Sequence, residues 1–571
     1  MKKQEQFRSV VFGVVLLTGL LAASAAGAVP QNWEAAHQRS QQIEIQHMIY
    51  RLGLAIAGLG LVVAARWTRG SCGNRRSEKL RLAILGLVAV ASFASYFNFF
   101  RFTHGEGFLG PDVYHYYMGS KYFSELGHFE LYNCTVAALM DGGVASPGRL
   151  PRVRDQRSLE ILSPQATLAT SQSCRGRMSK ERWVAFLNDV GWFHSRFGTR
   201  MWPIILEDHG YNPTPIWTAV GGFFTSRIPA DTGAFTLAIL ADRGLVLAAM
   251  AAIAWAFGIE AAALAMIVWG TGQLWSYTWV GDSLLRHLWF STLVVGLCLA
   301  KKGKPMAAGA LLAFATLLRV FPGAFLLAYV SHAALATYRK RSLDPAHLRL
   351  ALGAAIATIT IVTFSLLGNG MGMAGFSEFG EKMSAFAPQA AENKLGLSSL
   401  VWRVWFLATG QLVSNGVGKE FLVNTPGPLA WAGISVLEAI GVITALALFW
   451  KVLPRIQAWE AACLGLAIVP IFTSPANYYC SFFIVAVMLG QRSRRAYIYL
   501  AACAVLWIVN GLLFYGQARQ YTGAALISVA MPLLLVAEMI RMGDEPSSAL
   551  EADPAAVDAA PQHIRAGATA T

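Results

Sequence analysis

Five short stretches carry side chains able to do chemistry in a chain that is otherwise mostly apolar. The first is Gly110-Pro111-Asp112-Val113-Tyr114-His115-Tyr116-Tyr117. Pro111 suits a helix start because it has no N–H to leave unpaired, and Asp112 then sits where the helix dipole favours negative charge. His115 and Tyr116 follow at the spacing that shares one helix face, and Gly119 leaves room for something to approach. An acid, an imidazole and a phenol on one wall could take up a proton; the bland alternative is an acid that only caps its helix. The second stretch, Leu206-Glu207-Asp208-His209-Gly210-Tyr211-Asn212-Pro213, could share that role, or could be a turn whose Asp and Asn bond their own backbone. Asp282, Arg286 and His287 form the third, Arg319-Val320-Phe321-Pro322 the fourth, and Tyr478-Tyr479 the fifth.

Arg319 falls at a membrane boundary, where a cation is costly unless it meets an anion or snorkels to the interface. Tyr478 and Tyr479 suit either an aromatic belt or substrate contact. One general base, several cations and interfacial tyrosines together suit a reaction that binds and releases an anionic lipid head group. Asp242-Arg243, inside an apolar segment, is expected to be a satisfied intramembrane pair.

The elements that must position these residues are membrane helices. The 571 residues are 55% hydrophobic and 14% charged, with mean hydropathy +0.47, far from the roughly 25% charged of soluble domains. The net charge of +14 comes from short basic clusters between apolar runs, a positive-inside pattern and not a nucleic-acid footprint. The seven cysteines lack metal-type spacing. Cys298, Cys463 and Cys503 lie in apolar segments, and Cys134 and Cys174 fall in one long hydrophilic loop, free to pair in an oxidising compartment.

The expected fold is all-α and polytopic, with about 14 transmembrane helices. Residues 1–99 hold the N-terminal spans. Within them, the run from Val10 to Val29 is an uncleaved span or a secretory signal, and Gln31 to Arg51 is a surface helix preceding a span from Leu52 to Ala65. Residues 100–232 form a long exported helical loop domain, with an irregular middle from Asp141 to Lys180 and an aromatic helix from Lys180 to Arg200. Spans resume over 233–367, where two short apolar segments bend at Arg319 to Pro322. A second exported loop covers 368–428, further spans 429–542, and an acidic, disordered cytoplasmic tail 543–571. The polar clusters all project to the exported face.

The strings "GPDVYHYY", "KKGKPMAAGALLAFATLLRVFP", "ENKLGLSSLVWRVW" and "FTSPANYYCSFF", in that order over Leu82 to Leu489, resemble the GT-C superfamily of polyprenyl-phosphate-dependent membrane glycosyltransferases. The bacterial phosphatidylinositol-mannoside mannosyltransferase branch is the most similar. The resemblance implies a GT-C-like fold in the bacterial cytoplasmic membrane, with the site on the extracytoplasmic side and the C-terminus cytoplasmic. It implies transfer of a hexose or pentose, mannose among them, from a polyprenyl-phosphate donor to a hydroxyl of a glycolipid or cell-envelope glycan, with inversion. Asp112 matches the family's base in the first exported loop. Arg319 with Pro322 matches its cation in a short hairpin, and Ser474 to Tyr479 its late polar aromatic turn. The run "LEDHGYNPTP" has no family counterpart, so Asp208 could share or take the base role. The expected site is therefore Asp112, His115 and Asp208 for catalysis, Arg319 and Arg286 for the donor phosphate, and Tyr116, His209, Tyr478 and Tyr479 for substrate. No cofactor beyond the polyprenyl-phosphate co-substrate is expected; the sequence shows no metal-ligand set and leaves a divalent ion open. The partners are the bilayer, the donor and the acceptor, not nucleic acid. Two rival classes stand beside this one: a transporter or flippase of an anionic lipid-linked sugar, and a ligase of whole glycans.

Overall fold

A computed structural model describes residues 33–68, 75–100, 108–368, 370–386, 393–409, 412–414, 420–422, 428–514 and 518–544. The apolar run at 10–29 and the acidic tail beyond 544 lie outside the described residues. Among the described residues the regular structure is helical, apart from a short antiparallel pair in which Leu412–Ser414 faces Glu420–Leu422. Among them seven helices are long and apolar enough to cross a membrane: Ile45–Ala65, Arg75–Tyr96, Thr232–Phe257, Pro345–Gly368, Trp431–Arg455, Arg495–Leu513 and Arg519–Gly543. Six shorter apolar helices accompany them. A helix satisfies every backbone group internally, which is why apolar runs of this length take that form.

The first described element departs from expectation. Trp33–Thr68 is one continuous helix and not a surface helix followed by a separate span. No glycine or proline interrupts residues 33–52, so polarity changes along the helix while the backbone has no reason to break. The bend at Arg319 is as expected, lying between Pro305–Leu318 and Gly323–Lys340. Pro305–Leu318 approaches Pro345–Gly368 closely. A Cβ on Gly309 would stand 2.0 Å from the Leu350 carbonyl, and one on Gly353 1.9 Å from that of Met306, so each helix needs glycine where the other's backbone passes.

The loop domain is built on the helix Gly110–Lys121, with Leu131–Asp141, Lys180–Phe197 and Pro215–Thr225 around it. Its middle is less irregular than the sequence suggests, because Ser163 caps a helix over Pro164–Gln172 by accepting the Ala166 N–H. The aromatic stripe of Lys180–Phe197 is core packing. Phe193 meets Tyr114 at 5.0 Å, and Trp192 meets Phe235, near the start of the 232–257 span, at 5.3 Å between centroids. Phe235 also abuts Tyr117 at 5.0 Å, so one aromatic cluster joins the Asp112 helix to the membrane bundle. Lys121 and Asp189 pair at 2.7 Å inside this domain, with Tyr122 donating to the same carboxylate at 2.8 Å. Cys134 and Cys174 form a disulfide.

The second loop stretch joins the first. Helix Met373–Phe386 docks on the loop domain, where Glu378 accepts the His128 N–H at 2.9 Å. Lys382 Nζ donates to the His128 carbonyl at 2.9 Å, and to Gln156 Oε1 and the Tyr211 carbonyl at 3.0 Å.

Candidate functional site

Asp112 lies in the first turn of Gly110–Lys121, a helix capped by Leu109 without any side-chain cap, so its carboxylate is not used at its own helix end. Its Oδ1 accepts from Arg286 Nη1 at 3.0 Å. Its Oδ2 is buried and has no hydrogen-bond partner. Arg286 Nη1 also donates to the Tyr116 phenol at 2.7 Å, and Arg319 Nη2 donates to that same oxygen. The first, third and fourth stretches of the sequence therefore converge on one phenolic oxygen.

The fifth stretch closes the cluster. The Arg286 guanidinium lies 4.7 Å from the Tyr478 ring and 5.6 Å from that of Tyr479, and Arg319 lies 5.6 Å from Tyr479. Aromatic faces attract such cations and shield them from water. Tyr478 and Tyr479 are brought there by a pairing between two distant segments. The Leu395 N–H donates to the Pro475 carbonyl at 2.7 Å and the Asn477 N–H to that of Asn393 at 2.8 Å. The Asn477 side chain then donates to the Leu274 carbonyl at 2.9 Å.

Arg319 is held from the loop domain. Thr214 caps the helix Pro215–Thr225 and donates its hydroxyl to the Leu317 carbonyl at 2.8 Å, two residues before Arg319. Thr214, the residue that follows the second stretch, thus has a structural task. Phe321, on the other side, packs on Trp289 at 4.9 Å and Tyr479 at 5.2 Å.

Tyr116 packs edge-on against Trp217 at 4.5 Å. Burial pushes its hydroxyl up to about 12, against the pull of Arg286 and Arg319, so the phenol stays neutral. The charge balance follows: Arg286 and Arg319 are 7% and 8% exposed, Asp112 is the carboxylate paired with Arg286, and no described carboxylate pairs with Arg319. The cluster carries one uncompensated buried cation beside a carboxylate oxygen with no partner. Such a site can bind an anion and accept a proton.

His115 and Asp208 stand to one side. His115 Nε2 is hydrogen-bonded to the Tyr132 hydroxyl at 2.8 Å, and its Nδ1 lies 3.9 Å from Asp208 Oδ2. Burial lowers the imidazole below its ordinary value, opposed by the two acids Asp208 and Asp112, which keeps it neutral near pH 7. The Asp208 side chain is 52% exposed, with His209 Nδ1 3.5 Å from its other oxygen. Asp208 sits at the rim and His115 is buried beside it, and neither is hydrogen-bonded to a guanidinium of the cluster.

Two expectations are corrected. Gly119 does not leave an opening: the Tyr211 ring fills the space, and a Cβ would meet it at 2.3 Å. Asp242 and Arg243 are satisfied, but not by each other. Asp242 pairs with His287 at 2.6 Å and Arg243 with Asp282 at 2.7 Å, because neighbours on a helix point in different directions. Sequence reasoning missed Tyr132, Thr214, Trp217 and Lys382; the two ionisable residues inside an apolar run were the visible signal for the partners at Asp282 and His287. Among the described residues no group of three or more His, Cys, Asp or Glu is arranged to hold a metal ion. Compared with protein-family models, with curated proteins and with solved structures, the chain has no match, so the meaning of this cluster rests on its own geometry.

Proposed function

We propose that this chain is a membrane glycosyltransferase of GT-C type that moves a sugar from a polyprenyl-phosphate donor to an acceptor hydroxyl at the extracytoplasmic face. The observation that carries the reading is the pairing of an unpartnered Asp112 oxygen with two buried guanidiniums of which one lacks a carboxylate. The donor phosphate sits against Arg286 and Arg319. The acceptor O–H gives its proton to Asp112 Oδ2 as the oxygen attacks the sugar carbon; the bond from that carbon to the phosphate oxygen breaks, and the electron pair leaves with the polyprenyl phosphate. The guanidiniums stabilise the charge that develops there, and single displacement inverts the sugar carbon. Asp112 then passes its proton to water. Asp208, His209 and neutral His115 face the acceptor side, and Tyr478 and Tyr479 border the donor. The seven long and six short apolar helices fit a polytopic chain of about 14 spans, and the Cys134–Cys174 disulfide suits an oxidising side of a membrane for the loop domain.

A transporter or flippase of the same anionic lipid is the competing reading. Its strongest sequence feature, Asp242 and Arg243, is engaged with Asp282 and His287. The deciding experiment measures sugar transfer in membranes from labelled polyprenyl-phosphate sugars, comparing the unmodified chain with Asp112→Asn at matched expression. Loss of about 10²- to 10⁴-fold with donor binding retained is expected for removal of a general base. Transfer that survives the change moves the base elsewhere, with Asp208→Asn the next variant. Labelled lipid crossing the bilayer without consumption of donor would retire the enzyme.

A further inference from the structure

Arg286 sits on no regular helix. It lies in the turn between Tyr277–Val280 and Leu288–Lys301, and two residues of that turn, Asp282 at φ 56° and Leu285 at φ 47°, occupy the left-handed region. Non-glycine residues stay there only when their surroundings impose it. The imposing contacts come from two consecutive residues of the 232–257 helix and from Tyr277. Arg243 donates from Nε at 3.0 Å and Nη2 at 2.7 Å to Asp282 Oδ1, and Tyr277 donates to Asp282 Oδ2. Asp242 takes the other end, accepting the His287 main-chain N–H at 2.8 Å and lying 2.6 Å from its Nδ1. Asp242, Arg243, Tyr277, Asp282 and His287 are all buried, and the Trp269 ring packs on His287 at 5.0 Å.

A third connection links this turn to the other half of the site. The Asp282 carbonyl accepts the N–H of Leu109 at 3.0 Å, and Leu109 is the cap of the helix that carries Asp112. Asp282 therefore fixes the turn bearing Arg286 with its side chain and the helix bearing Asp112 with its main chain. Buried ion pairs add little to stability compared with apolar packing, and their best-attested use is to select one geometry.

We propose that Asp242 and Arg243 are positioning residues that set the contact between Asp112 and Arg286 by gripping both ends of the 282–287 turn. The proposal rests on Arg286 as a ligand for a lipid-linked phosphate. Neither residue touches the phosphate; each acts through the turn.

The test measures binding of undecaprenyl phosphate to the purified full chain in lipid nanodiscs. Arg243→Gln is expected to weaken binding by up to about 10²-fold, the size of effect that a small misplacement of a binding group produces. On an Arg286→Lys background the same change should cost less than about threefold more, because the two residues act through one group. Binding by Arg243→Gln equal to that of the unmodified chain overturns the proposal, as do losses that multiply in the double variant, which is what general loosening of the bundle would give. Where Arg243→Gln fails to yield a monodisperse protein, Tyr277→Phe and Asp242→Asn apply the same test with milder changes. Should the unmodified chain bind no lipid phosphate, the anion reading fails and the proposal falls with it. Should it bind lipid phosphate but transfer no sugar, the enzyme reading fails while the comparison of variants still decides the clamp.

Discussion

Tyr116 offers one neutral oxygen to two guanidiniums, and that arrangement makes a testable statement about Arg319. The residue is 8% exposed, and no carboxylate among the described residues pairs with it. It is held by the phenol and the face of Tyr479. Holding a buried cation on neutral groups alone costs stability that a bound anion would restore. Arg319→Gln should therefore weaken undecaprenyl phosphate binding by about 10- to 10²-fold, the usual loss for a charge-assisted hydrogen bond, while leaving the thermal midpoint of the ligand-free protein unchanged or higher. A parallel fall in both would make Arg319 a structural residue. His115 makes a statement about pH. Its folded value lies below its ordinary one because of burial, so the unfolded chain binds more protons. Its contribution to stability is then full above the ordinary histidine value and is lost as pH falls through that value toward the folded one. His115→Gln can still hydrogen-bond Tyr132, and should flatten the decline in unfolding midpoint between about pH 7.5 and 5; an unchanged acid limb would assign the decline to other groups.

What the chain makes legible is whatever depends on neighbours in sequence. The apolar runs, the bend at Arg319 and the first-turn position of Asp112 follow from composition and local spacing. The partner of a side chain depends on which distant element is packed beside it, and here local signals fail. Asp242 and Arg243 looked like one pair and are halves of two, with Asp282 and His287. Gly119 looked open and is covered by Tyr211. Nothing in the spacing of Lys382 points to a partner, yet it is 1% exposed and donates to three oxygens of the first loop domain. The disulfide was permitted by the sequence, and only the fold brings Cys174 to the helix Leu131–Asp141. Its consequence is local. The bond closes a sequence separation of 40 residues, for which the chain-entropy account gives about 4 kcal/mol. It lies two residues from Tyr132, the partner of His115. Reduction, or Cys134→Ser with Cys174→Ser, should raise protease cleavage and hydrogen exchange within 131–177, leaving the bundle helices as protected as before. Equal protection in both forms would mean that packing alone holds the segment.

Among the described residues the Asp112–Arg286–Arg319 cluster lies against a loop domain whose apolar core continues into the long apolar helices. That continuity makes the orientation of the loop domain a property of the entire chain: if it faces the outside, the basic turn at Arg339 to Arg341 must face the inside. Short basic clusters favour the cytoplasmic side of a membrane, and a disulfide forms where thiols are oxidised. Single cysteines read both sides. Ser146 and Ser342 are exposed, and the native Cys298, Cys463, Cys480 and Cys503 are buried, so background labelling is low once Cys72 is replaced by Ser. In intact cells Ser146→Cys should react with a membrane-impermeant maleimide, and Ser342→Cys only after the membrane is opened. The reverse pattern would turn the Asp112–Arg286–Arg319 cluster toward the cytoplasm. The anion would still have its guanidiniums and the proton its carboxylate, but donor and acceptor would have to reach them from the cytoplasm, and the chemistry proposed for the outer face would be lost.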